Sequence, residues 1–284
     1  MSKVALVTDS SAYIPEDLRK KHNITVVPLI LLWGHEAFED GVDIQPDEFY
    51  ARLANSKVMP TTSQSTIPSM ETAFESLVEK GYDVLGIFIS SKLSGTVQSA
   101  MQGREMMMKG AEKVAIVDSL STSMAMGFQV LTVARAAEAG ESLAECVKLA
   151  EKAREHTGIY FAVDTLEFLH RGGRIGGAQA LLGSALNIKP VLCLQDGRVE
   201  SVDKVRTRSK VLERVIELVG EQTTGKTPVR LATLHANAEE EARALLATAA
   251  ARLNPVETVL SGLSPAIGTH TGPGTLGLAY MAGM

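Results

Sequence analysis

The sequence predicts an α/β protein of two domains. Residues 1–157 form an N-terminal domain built on a mostly parallel sheet with helices on both faces, and residues 158–284 form a smaller, mixed α/β domain. Three observations carry this reading. A chain of 284 residues with 45% hydrophobic and 21% charged content is long enough for one large core or two modest ones. Through the first half, short apolar runs alternate with segments of helical period, the pattern of a parallel sheet wrapped by helices. From about Gly158 that alternation gives way to a hairpin and a less regular mixture.

Val4 to Thr8 reads as a buried strand, followed by Asp9-Ser10-Ser11 and then Pro15-Glu16-Asp17-Leu18, a helix start with acid in its first turn. Val26 to Leu32 reads as a second strand, Glu39 to Asp43 as a turn or hairpin, and Gln45 to Tyr50 as the opening of a helix. A hydroxyl-rich run, Pro60-Thr61-Thr62-Ser63-Gln64, precedes a helix over Ser69 to Glu79, whose Met70, Phe74 and Leu77 share one side. The strand Val84 to Ile89 ends in a second such run, Ser90 to Thr96, which feeds a helix over Val97 to Lys109. The strand Val114 to Val117 ends at Asp118-Ser119, before a helix of small residues, Ser123 to Ala139. Asp9, Ser91 and Asp118 thus fall beyond the carboxyl ends of strands, where open parallel sheets bind ligands.

In the second half, Tyr160 to Val163 is a strand and Leu166 and Leu169 belong to a helix. The glycine group from Arg171 to Gly177 breaks that helix before another, Ala178 to Leu186. Pro190 to Leu194 and Val199 to Val205 flank Asp196-Gly197, a tight-turn pair, and form a hairpin. Helix Ser209 to Val219, strand Val229 to Leu234, helix Ala236 to Ala251 and strand Val256 to Leu263 follow. A glycine-rich tail, Gly268 to Gly277, then leads to a last apolar segment, Leu278 to Met281.

A formal net charge of -5 and the lack of a basic stripe argue against nucleic acid. Cys146 and Cys193 sit in apolar stretches and read as core, which fits a reducing, cytoplasmic setting. The first nine residues read as a strand and not a signal peptide, and no apolar run approaches the roughly 20 residues that span a bilayer. No His, Cys, Asp or Glu group has metal-ligand spacing, so neither a metal nor a cofactor is expected.

Gly220 to Thr227 matches the phosphate-loop pattern literally, but it leaves a helix and enters a strand, the inverse of the order that aims helix-terminal N–H groups at phosphates. A helix end at Gly220 and a polar connection are the better reading. His22 and His170 look like surface residues. His270, in Thr269-His270-Thr271-Gly272-Pro273-Gly274, lies in a tight turn as either a structural group or a donor to a carboxylate. The glycines beside Arg171 and Arg174 stop and restart a helix, and either arginine is a candidate contact for a phosphate, another anion or a partner.

Ser94 is the candidate nucleophile of a serine hydrolase, with His270 and Asp118 or Asp9 completing a triad, although its context lacks the first glycine of the nucleophile elbow. The competing reading makes Ser91, Ser94 and Thr96 helix caps or anion ligands. For Asp9, Ser10 and Asp118, capping is preferred. The two hydroxyl runs supply many neutral donors without a carboxylate or histidine of their own, which suits holding an anion better than breaking a bond. A sensor of a non-lipid carboxylate is a third reading.

In order, Thr8 to Ser11, Phe38 to Ile44, Pro60 to Gln64, Ile89 to Thr96, Val117 to Ser119, Arg171 to Ile175, Lys189-Pro190 and His270 to Gly274 resemble the motifs of the DegV family. The resemblance covers residues of about 3–282. It implies two α/β domains with a lipid site at and behind their interface, where a long-chain fatty acid has its acyl chain buried in the C-terminal domain. Carried over by motif, Thr62, Ser94 and His270 hold the carboxylate. The resemblance further implies a non-catalytic carrier that presents the fatty acid to a kinase subunit for phosphorylation and phospholipid synthesis, with transient membrane contact. One departure is that Ser65-Thr66-Ile67-Pro68 follows the Thr-Ser-Gln run where the family commonly has Pro-Ser, which bears on the rigidity of that loop more than on Thr62.

Overall fold

A computed structural model describes residues 3–183 and 188–284. The first half runs β1 (Val4–Asp9), α1 (Glu16–Lys21), β2 (Thr25–Val27), β3 (Ile30–Trp33), β4 (Glu36–Glu39), α2 (Pro46–Asn55), β5 (Thr61–Ser63), α3 (Ile67–Glu79), β6 (Asp83–Phe88), α4 (Thr96–Met106), β7 (Val114–Asp118), α5 (Ser123–Glu138) and α6 (Leu143–His156). The second runs β8 (Thr157–Ala162), α7 (Glu167–Arg171), β9 (Lys189–Gln195), β10 (Arg198–Val205), α8 (Arg208–Thr223), β11 (Val229–His235), α9 (Glu239–Leu253), β12 (Glu257–Val259), α10 (Pro265–Thr271) and β13 (Leu276–Ala282). A parallel sheet of order β2-β1-β6-β7 and a mixed sheet of order β10-β9-β8-β13-β11-β12 give the two α/β domains that the sequence implies.

The expected single strand over Val26 to Leu32 is two strands in different sheets. Pro28 has no N–H to donate to a ladder, so the chain leaves the parallel sheet after β2 and re-enters pairing at β3. There β3 centres a small antiparallel sheet of order β4-β3-β5, which the sequence reading did not contain. Its hairpin turns at Gly34-His35, and the turn expected over Glu39 to Asp43 closes separately, the Val42 and Asp43 N–H groups donating to Glu39 O and the Glu39 N–H to the Asp43 carboxylate at 2.8 Å. β5 carries Thr62 opposite Leu31, so the first hydroxyl run is a strand. Helix α6 was also missed, despite a capping-box sequence in which Ser142 accepts the N–H of Glu145.

Other boundaries moved. The last strand before the tail shrinks to β12, and helix α8 passes through Gly220 to Thr223, so the phosphate-loop pattern begins inside a helix. Of the helix expected over Ala178 to Leu186, Gly176–Leu181 is a 3-10 helix, and the part from 184 on lies outside the described residues. His22 is buried and bonded to Glu138 at 2.8 Å, whereas His170 is exposed as expected. Among the described residues no helix is long and apolar enough to cross a membrane.

Helix α5 explains why its sequence is so poor in polar residues. It touches β1 and β6 of one sheet and β8, β11 and β13 of the other, so it has no solvent face to fill. Met124, Met126, Phe128, Val130 and Leu131 are all 0% exposed and join one core that runs across both sheets. Removing the Phe128 ring leaves a cavity that neither sheet can collapse into alone. Phe128→Ala is therefore expected to cost about 3–5 kcal/mol. The loss should appear in one cooperative denaturant transition, and a second, unshifted transition would show that the sheets unfold separately.

Candidate functional site

Between the two sheets lies a cleft lined by residues of both halves of the chain, its empty space, counted out to the open solvent, about 790 Å³. Its walls are apolar: Leu29 and Ile89 from one side, Ile159, Phe161, Leu194 and Leu234 from the other. Its rim is polar, formed by Thr62, Ser63 and Gln64 of the β5 region, Ser94 and Gly95 of the β6–α4 loop, and Arg174, His270 and Thr271. The structure thus brings Thr62, Ser94 and His270, singled out in the sequence, around one cavity.

Thr62 Oγ1 and His270 Nε2 are 2.7 Å apart across 208 residues of sequence. His270 is not in a turn, as the glycine-rich tail suggested, but in the last turn of α10. That helix is started by Ser264, which accepts the N–H of Ile267, and by Pro265 in its first turn. The approach to His270 is close: a Cβ on Gly172 would lie 2.1 Å from His270 Nδ1, so only glycine leaves room there. Gly172 also caps α7, its N–H donating to Phe168 O, and Gly173 follows at φ 69, which confirms the helix stop read from this glycine group.

Ser94 Oγ lies 2.9 Å from Thr96 Oγ1 and accepts the Thr96 N–H at 3.3 Å. The N-cap of α4 is Gly95, without a side-chain capping bond, so Ser94 does not cap the helix as the sequence allowed; its hydroxyl makes a local bond to Thr96 and lies at the cavity rim. The hydrolase triad does not assemble. His270 is bonded to Thr62 and not to Ser94, and its Nδ1 has no hydrogen-bond partner among the described residues. Asp9 is engaged by Ser11 and by the Ile89 N–H, and Asp118 by the N–H groups of Ser91 and Leu120.

The two arginines part company. Arg171 is exposed and pairs with Glu167 one helical turn away, outside the cavity lining. Arg174 lies beyond the helix stop and lines the cavity, donating to Leu93 O at 2.9 Å and Gly172 O at 2.6 Å. A guanidinium has five N–H donors, so capacity remains for an anion. The loop after the first hydroxyl run is pinned, contrary to the looseness expected: Ser65 is fully buried and donates to Val27 O, and Thr66 caps α3 by accepting the Ser69 N–H.

Burial, and then the charge of Arg174, hold the His270 imidazole down at about 4, so it is neutral at neutral pH. Among the described residues no cluster of three or more His, Cys, Asp or Glu could hold a metal ion. Two lining residues were missed in the sequence, Thr122 and Ser123 at the start of α5. Their run of hydroxyls, Ser119 to Ser123, was visible but was read only as a connection into the helix.

The site is thus a polar-rimmed, apolar-walled cavity between two α/β layers. Residues 3–283 match the profile described as "uncharacterised protein, DegV family", and the chain belongs to that family. It is 36% identical to Protein DegV of Bacillus subtilis over 279 residues, 98% of each chain. With a DegV domain-containing protein of Streptomyces coelicolor it shares 39% over 277 residues, 97% of each. The solved structure of a Thermus thermophilus DegV family protein, described by its fatty acid binding, superposes with a TM-score of 0.92 at 36% identity, covering 99% of both chains. That of Bacillus subtilis DegV, described as a fatty acid binding protein, gives 0.90 at 34%, covering 99% of this chain and 100% of that one.

The low pKa of His270 has a defined consequence for stability. As pH falls, the unfolded imidazole takes up its proton near 6.5 and the folded one only near 4. Its contribution is therefore fully present above about 6.5 and is lost as pH falls towards 4. Asp9 and Asp40, both pushed up to about 6 by burial, act oppositely: the unfolded carboxyls ionise first, so stability falls as pH rises from 3.8 to about 6. Comparing wild type with His270→Asn cancels the carboxyl contribution. The stability difference should shift against wild type by on the order of 3 kcal/mol between pH 6.5 and 4. A pH-independent difference would refute the assignment. In Arg174→Gln, NMR titration should find the His270 midpoint higher than in wild type.

Proposed function

We propose that this protein binds a long-chain fatty acid, with its carboxylate at Thr62, Ser94 and His270 and its acyl chain along the apolar walls behind them. The observation that carries this reading is the joining of a hydroxyl–imidazole rim to apolar walls in one continuous space. The fatty acid binding described for the Thermus thermophilus and Bacillus subtilis proteins supports it.

The energetics divide between the two ends. Burying about 15 methylenes at roughly 0.8 kcal/mol each gives a gross gain of about 12 kcal/mol, before the cost of ordering the chain. Hydrogen bonds to a charged carboxylate contribute roughly 1.5–3 kcal/mol each, which offsets its desolvation and fixes its register. Arg174 adds positive charge beside this site without forming part of the hydroxyl set. The tail accounts for affinity and the rim for orientation.

The bound acid is held and not transformed, and is presented to a kinase subunit that phosphorylates the carboxylate for lipid synthesis. The exposure of Gln64 and Gly95 at the rim supports this, because a head group held there lies near solvent, within reach of a second protein. Exchange with membranes by transient contact supplies the acid, and the protein works in the cytoplasm. The two domains meet near residue 157, where β8 begins.

Mass spectrometry of lipid extracted from denatured protein should find a long-chain fatty acid. In titrations, affinity should rise about fourfold per added methylene from dodecanoic to hexadecanoic acid. No acyl ligand together with no saturable binding would sink the reading, and affinity independent of chain length would favour a sensor of small carboxylates. Thr62→Ala and Ser94→Ala should each weaken hexadecanoate binding roughly 10- to 100-fold, with the denaturation midpoint near that of wild type. Unchanged binding in both would remove the carboxylate from this rim.

A further inference from the structure

Thr122 and Ser123 open helix α5, and both line the cavity. Thr122 is 8% exposed and Ser123 0%, and neither hydroxyl has a hydrogen-bond partner among the described residues. Buried hydroxyls are normally paired, and two adjacent ones left unpaired in the same wall call for a ligand group.

Neither is spent on the helix. Thr66, Ser142, Thr207 and Ser264 each accept a first-turn N–H at the start of their own helices, whereas Thr122 makes no capping bond at the start of α5. The N–H groups of the first turn have no intrahelical acceptor either. Ser123 also sits at φ 52, a left-handed conformation that disfavours a residue with a side chain. The strain, the missing cap and the two unpaired hydroxyls coincide at one helix end, among Ile89, Ile159 and Phe161 of the apolar wall.

The position along a ligand follows from the backbone. Ser121 O accepts the Ser90 N–H at 2.8 Å, and Ser90 O accepts the Ser94 N–H at 3.1 Å. The start of α5 is thus two hydrogen bonds from Ser94, through Ser90, and more deeply buried than Ser94 itself. A group meeting Thr122 and Ser123 lies on the carboxyl-proximal half of an acyl chain. It is neutral, because the rim already supplies the site for the charge, and it hydrogen-bonds, because both unpaired groups are hydroxyls.

Building on the fatty acid reading above, we propose that Thr122 and Ser123 form a second polar station of the cavity, which selects fatty acids carrying a hydroxyl group on the carboxyl-proximal half of the chain. A ligand hydroxyl both donates and accepts, so it can satisfy one side-chain oxygen and take a proton from the other. An unsubstituted chain leaves both groups unpaired.

The test titrates hexadecanoic acid and its 2-, 3-, 5- and 7-hydroxy derivatives into wild type, Thr122→Val and Ser123→Gly. Valine keeps the shape of threonine, and glycine adopts the left-handed backbone without strain, so each variant retains the helix start. In wild type, at least one hydroxy acid should bind about tenfold more tightly than hexadecanoic acid. In both variants hexadecanoic acid should bind more tightly than in wild type and that hydroxy acid less, so the preference inverts. The station is overturned if no hydroxy acid outbinds hexadecanoic acid in wild type, the result expected if a trapped water satisfies the pair. It is equally overturned if the preference survives in both variants. Wild type that binds none of these acids overturns the fatty acid reading itself.

Discussion

The geometry of the cavity rim depends on the buried carboxylate of Asp40. It accepts from Ser10 Oγ at 2.6 Å, from the Ala266 N–H at 3.2 Å and from the Ser264 side chain. Two rigid arms leave it. One is α10, seven residues long, which starts beside Asp40 and ends with His270 in its last turn. The other is the β4-β3-β5 sheet, in which Phe38 pairs with Leu31 and Leu31 with Thr62. The arms meet where Thr62 and His270 bond at 2.7 Å. The closed circuit explains how residues 208 apart in sequence hold hydrogen-bonding distance without a covalent link, and why a carboxylate is buried at the cost that raises its pKa to about 6.

Other polar contacts close the seam between the sheets. Ser90 Oγ donates to Gly197 O at the β9–β10 turn, Arg174 Nε to Leu93 O, and Ser261 Oγ to Tyr13 O. Each joins a strand end or loop of the first half to one of the second. Behind this seam, α5 presents apolar surface to both sheets, so the space between them is polar at its rim and apolar in depth. A side chain on Gly197 would meet Ser90 Oγ at 2.2 Å, so the Asp196-Gly197 pair serves the seam as well as the hairpin. The gradient from rim to depth follows from folding two amphipathic layers together, and a ligand with a polar head and an apolar tail matches it.

What the sequence made legible was whatever local chemistry decides. Buried strands of five or six residues, the Asp-Gly hairpin and the glycine stop after α7 follow from short-range propensity, and all occur. Three-residue β5 does not, because its state is set by pairing with β3 and not by its own residues. The sequence around His270, rich in Thr and Gly, reads as a turn. It is helical because Ser264, Pro265 and the distant Asp40 fix its first turn. Arg171 and Arg174 looked equivalent, and only the chain reversal at Gly172-Gly173 separates the exposed one from the one at the cavity. The unpaired state of Thr122 and Ser123 was invisible, since a hydroxyl at a helix start is ordinarily its cap.

The charge distribution around the rim sets what kind of hold on an anion it can exert. His270 is neutral, Thr62 and Ser94 are neutral, and Arg174 commits two of its donors to Leu93 and Gly172 backbone oxygens. A forked arginine–carboxylate pair would be both stronger and more rigid than this arrangement. Neutral donors instead orient a carboxylate while leaving its charge only partly compensated, so binding leans on the apolar walls. Since the contribution of those walls scales with buried chain length while the rim's does not, such a site retains long chains and releases short ones. In the fatty acid reading proposed above, that division leaves the head group loosely held near solvent while the tail supplies the residence time.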